Sequence, residues 1–71
     1  MTPDDIKQWI EVGLTNAQAS VTGDGRHFEA TVICPDFAGK DMLVQHRMVY
    51  AALGERMQNA IHALSLKTRA E

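Results

Sequence analysis

Residues 17–34 of the chain read AQASVTGDGRHFEATVIC, and this stretch predicts two antiparallel strands, over residues 17–22 and 28–34. The Asp-Gly pair at residues 24–25 is a strong hairpin signal between alternating runs, because glycine adopts positive φ at no steric cost. One face of the second strand carries Phe28, Ala30, Val32 and Cys34, and the other carries Glu29, Thr31 and Ile33. Pro35 ends this strand, since proline has no N–H to donate to a sheet.

A helix is predicted on each side of the hairpin. The first begins with Thr2 as N-cap and Pro3 at the first helical position. Its apolar face is Ile6, Trp9, Ile10 and Leu14, at helical spacing, and residues 15–16 are expected to end it. The second helix follows Asp41 as its cap, and Gly54 is expected to kink or divide it. Its predicted apolar stripe is Met42, His46, Val49, Leu53 and Met57, widened by Leu43 and Tyr50.

The last strand is predicted over residues 61–67, after the second helix. A strand that follows a helical crossover runs parallel to the strand before the helix, with a right-handed connection. The predicted fold is therefore α+β, a single α-β-β-α-β domain over residues 1–71 with a three-stranded mixed sheet and helices on one face. A chain of 71 residues is the length of one domain with a thin core.

Composition narrows the cellular setting. Cys34 is the single cysteine, so no disulfide forms within the chain, and a reducing compartment is indicated. The acidic, polar start of the sequence does not resemble a secretory signal, and no apolar run approaches the roughly 20 residues that span a bilayer. The sequence therefore predicts a soluble cytoplasmic protein that does not bind membranes.

Charge and motif content weigh against two broad functions. The net charge of −2 argues against strong non-specific binding of nucleic acid. A local basic patch is still possible, because one region contains Lys40, His46, Arg47 and Arg56. No nucleophile–base pair and no paired carboxylates occur at a meaningful spacing. The chain is therefore predicted not to be an enzyme.

Residues 37–40 read FAGK, residues 45–50 read QHRMVY and residues 61–64 read IHAL. In this order, the three segments resemble the BolA family. The hairpin loop at residues 20–28 (SVTGDGRHF) is similar to that of the IbaG-type, or YrbA-type, bacterial branch. The match covers nearly the whole chain. It implies an α-β-β-α-β core related to the class II KH fold, which agrees with the elements predicted above.

The resemblance also implies a partner and a cofactor. BolA-like proteins bind monothiol glutaredoxins of the CGFS type, and the two proteins and glutathione share a bridging 2Fe–2S cluster in iron–sulfur trafficking and stress response. The family's ligand at the start of the last strand maps onto His62. Its second ligand, cysteine or histidine, comes from the hairpin loop, where this chain offers His27. The isolated protein is expected to be metal-free, as a monomer or weak homodimer.

Several alternatives remain open at this point. His62 and His27 are either cluster ligands or polar residues at strand ends. Some BolA-like proteins are described as DNA-binding regulators, and the helical region 41–58 is the candidate surface for that role. Lys40, Arg47 and Arg56 are candidate contacts for a protein partner or for DNA. A third hypothesis is an interaction module that docks its partner without any metal.

Overall fold

The structure, a computed structural model, describes residues 1–61 and 63–71. Its elements are α1 (Pro3–Gly13), β1 (Gln18–Gly23), β2 (His27–Ile33), a 3₁₀ turn (Pro35–Phe37), α2 (Met42–Leu53), α3 (Arg56–Asn59) and β3 (Ala63–Arg69). The sheet has the order β1-β2-β3, with β1 antiparallel and β3 parallel to β2. The predicted α+β fold with a three-stranded mixed sheet is confirmed.

Helix α1 begins at the predicted cap. The Thr2 hydroxyl accepts from the Asp5 backbone N–H at 3.3 Å, and the Thr2 N–H donates to the Asp5 carboxylate at 2.9 Å, which completes a capping box. The helix ends at Gly13, just before residues 15–16. A Cβ placed on Gly13 would lie 2.6 Å from the Cβ of Ala52, so this glycine lets α1 and α2 pack closely.

The strand faces are those the alternation predicted. Phe28, Ala30 and Val32 are buried on the side of the sheet that the helices cover, whereas Glu29 on the other face is exposed. Strand β3 continues to Arg69, two residues beyond the predicted end, because Arg69 pairs with Ile33 at the end of β2. The predicted polar, frayed end at residues 67–71 is therefore partly wrong, since Lys67, Thr68 and Arg69 belong to the sheet.

The second predicted helix is divided at Gly54, whose φ of +58° ends α2 before the short α3 begins. The predicted apolar stripe is wrong at its first residues. Met42 and Leu43 are 69% and 58% exposed, and Tyr50 is 39% exposed. The reason is that Phe37, in the 3₁₀ turn ahead of the helix, occupies the core with full burial, and only the later part of α2 faces that core.

Candidate functional site

The β1–β2 connection is a tight turn closed by its own aspartate. One carboxylate oxygen of Asp24, Oδ1, accepts hydrogen bonds from the backbone N–H groups of Arg26 and His27, both at 2.9 Å. The Asp24 N–H donates to the His27 carbonyl at 3.2 Å, and Gly25 supplies the positive φ of 98° that the reversal needs. This arrangement, called the Asp24 turn below, fixes the backbone at the first residue of β2.

His27 follows that turn with its ring at the surface. Its Nδ1 lies 3.9 Å from Oδ2 of Asp24, and the two side chains are 71% and 72% exposed. The pKa of Asp24 is lowered from its usual value, first by the hydrogen bond from the His27 backbone and then by the one from Arg26. An ionised carboxylate therefore stands beside one nitrogen of the imidazole near neutral pH.

The start of β3 lies next to the Asp24 turn. His27 is the register partner of Ala63 in the parallel ladder, and the Ala63 N–H donates to the Arg26 carbonyl at 3.1 Å. His62, the other predicted ligand, precedes Ala63 in the chain but lies outside the described residues. That the two imidazoles lie close together therefore stays a prediction. It is based on the position of His27 and on the register of β2 and β3.

The segment that leads into β3 is tied to α1. The Arg56 guanidinium carbon sits 4.6 Å from the centroid of the Trp9 ring, within range of a cation–π contact. The Arg56 carbonyl accepts from the N–H groups of Ala60 and Ile61, at 3.0 and 2.8 Å, and Ile61 is buried. A shallow cavity of about 250 Å³ is lined by residues 57–61. Arg56, a predicted partner contact, thus already packs against a helix of its own chain.

The other two predicted cations lie nearer the start of α2. The Lys40 ammonium donates to the Asp36 carbonyl at 3.0 Å, whereas Arg47 is exposed on the helix. Leu43, Arg47 and Tyr50 recur at helical spacing, and together we call them the α2 outer face. The structure brings Arg47 between two exposed apolar side chains, but it places Lys40, Arg47 and Arg56 on three separate segments.

The hydrogen bonds of the Gln45 side chain were not predicted from the sequence. Its amide donates to the carbonyls of Lys40, at 2.7 Å, and Phe37, at 3.3 Å, while its carbonyl oxygen accepts from the Thr68 hydroxyl at 2.7 Å. The side chain therefore joins the loop before α2 to β3. A glutamine in a predicted helix carries no signal of such a contact, because the partners are distant in sequence.

Metal-ligating side chains are sparse in the part of the chain that the structure describes. Among residues 1–61 and 63–71, no group of three or more His, Cys, Asp or Glu residues could hold a metal ion. Cys34 is fully buried at the far end of β2 from His27, as its place in the alternation predicted. Across the same residues, every helix is too short or too polar to cross a bilayer.

Comparison with known proteins gives a consistent picture. A protein-family model described as BolA-like protein matches residues 10–71. Protein BOLA2 of Arabidopsis thaliana is 53% identical over 69 residues, which cover 86% of this chain and 73% of that relative. The DNA-binding transcriptional regulator BolA of Escherichia coli K12 is 37% identical over 46 residues, and the match covers 65% of this chain and 44% of that protein.

Solved structures agree with the fold. The structure of a bolA protein homologue from Coxiella burnetii superposes with a TM-score of 0.91 at 59% identity, covering 96% of this chain and 88% of that one. The BolA domain of SufE1 from Arabidopsis thaliana, at 23% identity, superposes with a TM-score of 0.79 over 94% of this chain and 88% of that one, and it bears on the fold alone. The three-stranded sheet with its helices is thus an architecture shared with solved BolA structures.

Proposed function

The chain belongs to the BolA family, and on that premise we propose that it is a non-catalytic adaptor for iron–sulfur trafficking in the cytoplasm. It binds a monothiol glutaredoxin of the CGFS type and shares a bridging 2Fe–2S cluster with that partner and glutathione. The observation that carries the proposal is the position of His27, which opens β2 beside the Asp24 turn and pairs with Ala63, the residue after His62. An associated role in stress response follows from the same family resemblance.

The donor set fits a shared cluster better than a resident one. A 2Fe–2S cluster needs four protein or thiol ligands, and histidine replaces cysteine on one iron in Rieske centres. This chain offers His27 and His62 at the proposed site, while its single thiol, Cys34, is buried at the other end of β2. The partner's cysteine and glutathione would complete the set. The cluster, when bound, supplies iron and sulfide for transfer to a recipient.

The histidines have two tasks in this account. Each ring gives iron a nitrogen lone pair, which requires neutral imidazole, so acid conditions favour release. Imidazole ligation also shifts the cluster potential upward relative to thiolate ligation. His27 stands on a turn whose backbone is fixed by two hydrogen bonds to Asp24. That rigidity reduces the conformational entropy lost when the ligand binds iron.

The proposal is tested by visible circular dichroism. Glutaredoxin carrying its 2Fe–2S cluster is mixed anaerobically with the wild-type chain, His27→Ala, His62→Ala and, as a matched control, His46→Ala on α2. We expect a new spectrum at one-to-one stoichiometry for the wild type and the control, and its loss in the other two variants. If the glutaredoxin spectrum is unchanged with every chain, cluster sharing is contradicted. If the two proteins form a complex but the spectrum does not change, the result favours an interaction module that binds without metal.

A second candidate function is DNA-binding regulation through residues 41–58. It is favoured by the E. coli relative, which is named a DNA-binding transcriptional regulator and is 37% identical over the matched part. Lys40, Arg47 and Arg56 would then contact phosphates. Binding to duplex DNA measured over a salt series should weaken with a log–log slope of about −0.9 per phosphate contacted. Absence of binding at low salt would remove this candidate.

A further inference from the structure

The geometry points to Asp24 as a positioning residue for His27: its carboxylate faces Nδ1 and favours the ring proton on that nitrogen, so that Nε2 is the nitrogen that binds the partner's iron. This inference rests on the proposed function, because it assigns a role in cluster binding to a residue that contacts the proposed ligand. It adds a residue outside the histidine pair and names the ligating atom.

The two carboxylate oxygens of Asp24 contact different groups. Oδ1 of Asp24 accepts both backbone N–H groups, from Arg26 and His27, at 2.9 Å each. Oδ2 faces the ring, 3.9 Å from Nδ1 of His27. The same side chain therefore fixes the backbone of His27 and faces one defined atom of its imidazole.

The carboxylate of Asp24 also influences which ring nitrogen of His27 carries the proton. A neutral imidazole carries its proton on either nitrogen, and the environment of the ring decides which one. A carboxylate beside Nδ1 of His27 favours the proton there and leaves the lone pair on Nε2. At 3.9 Å this is electrostatic attraction and not a hydrogen bond. In metal-bound histidines, the nitrogen that faces a carboxylate is commonly the one that carries the proton.

The test uses the metal-free wild-type chain and Asp24→Asn, with ¹⁵N-labelled histidine. The asparagine carbonyl oxygen can accept the same two backbone N–H groups, so the turn is kept, while the oxygen beside Nδ1 is replaced by an uncharged N–H₂ donor. Long-range ¹H–¹⁵N spectra at about pH 8.5, where imidazole is neutral, identify the protonated nitrogen. We expect Nδ1–H to predominate in His27 of the wild type. In Asp24→Asn, the ratio of Nδ1–H to Nε2–H should fall by roughly threefold, within the upper bound that exposed charge pairs set for such a contact.

The control is Asp36→Asn, which removes the same charge at the other end of β2 and should leave the His27 tautomer unchanged. Predominant Nε2–H in the wild type overturns the inference, and this readout holds even if Asp24→Asn disturbs the turn. An unchanged tautomer ratio in a folded Asp24→Asn chain also overturns it.

Different results would contradict the role of Asp24 and the proposed sharing of a cluster. The tautomer is read without iron, so its result does not depend on whether a cluster is shared. A tautomer shift in Asp24→Asn, combined with a glutaredoxin spectrum that His27→Ala leaves unaltered, supports the orientation by Asp24 and contradicts ligation by His27. An unaltered tautomer, combined with a spectrum that His27→Ala abolishes, overturns the role of Asp24 and supports ligation.

Discussion

At the scale of single residues, Gly13, the last residue of α1, marks a close approach between two helices. A Cβ at this position would lie 2.6 Å from the Cβ and 2.9 Å from the Cα of Ala52. Contacts that short force the two helices apart, because the second atom belongs to the backbone. The contact with Ala52 therefore explains the glycine at the end of α1. Helix propensity alone would favour alanine there by about 1 kcal/mol.

Gly13→Ala should therefore lower the free energy of unfolding by about 1–2 kcal/mol, the typical cost of overpacking after the gain in helix propensity. Urea denaturation of the wild type and the variant measures the difference. Adding Ala52→Gly removes the Cβ–Cβ contact, so a double-mutant cycle should give a favourable coupling of at least about 0.5 kcal/mol. A Gly13→Ala chain as stable as the wild type would show that the helices separate at no cost.

The hairpin shows how far single residues could be interpreted from sequence. The Asp-Gly pair predicted the turn, and the structure has it at Asp24, Gly25 and Arg26. The carboxylate of Asp24 beside the ring of His27 was not predicted, because side-chain direction depends on the torsions of the whole turn. The role of His62 as a ligand stays a prediction, since that residue lies outside the described part of the chain.

At the scale of elements, Glu11 joins α1 to the edge strand β1. Its carboxylate accepts from the Lys7 ammonium at 2.6 Å and from the Ala19 backbone N–H at 2.9 Å. The pKa of Glu11 is lowered, first by the hydrogen bond from Lys7 and then by the one from Ala19. The ionised form is thus favoured in the folded state relative to the unfolded chain.

A depressed pKa contributes stability above the usual value of 4.5, and this contribution is lost as pH falls through the lower folded-state pKa. Glu11→Gln should lower the free energy of unfolding by about 1 kcal/mol at neutral pH. This is slightly less than the contribution of a typical hydrogen bond to a charged group. Below pH 4.5 the gap between the two chains should narrow. Urea denaturation at several pH values measures it, and a gap that widens in acid would contradict this account.

Element positions were predictable where local signals agree, as at the Thr2 and Asp41 caps, both of which accept the expected backbone N–H. The apolar stripe of α2 was wrong at its N-terminal end. Periodicity identifies an apolar face but not how deeply each residue is buried: Phe37 is fully buried, whereas Met42 is 69% exposed. Tertiary packing decides between such competitors, and residue spacing carries no information about it.

At the scale of the whole molecule, the exposed α2 outer face lies on the helical side of the sheet. Arg47 stands there between Leu43 and Tyr50, which are 58% and 39% exposed. Aromatic, apolar and arginine side chains are enriched at protein interfaces. We therefore expect this face to contact the glutaredoxin, with Arg47 facing acidic groups of the partner.

Arg47→Glu should weaken binding of the proposed glutaredoxin partner by roughly tenfold, because the reversed charge would repel the acidic groups that we expect to face Arg47. Lys67→Glu makes the same change of charge on β3, next to Thr31 on the uncovered face of the sheet, and should leave affinity unchanged. Isothermal titration calorimetry gives both constants. Equal affinities for Arg47→Glu and the wild type would exclude the α2 outer face from the interface.

The central claim is that a histidine of this chain binds the iron of a shared cluster. The most direct measurement is pulsed EPR of the reduced glutaredoxin complex in which only this chain carries ¹⁵N-histidine. A strong ¹⁵N hyperfine coupling, lost when His27 and His62 are both replaced by alanine and kept in His46→Ala, is the predicted result. A reduced cluster with no ¹⁵N coupling from this chain would contradict the claim, because every ligand would then come from the partner and glutathione.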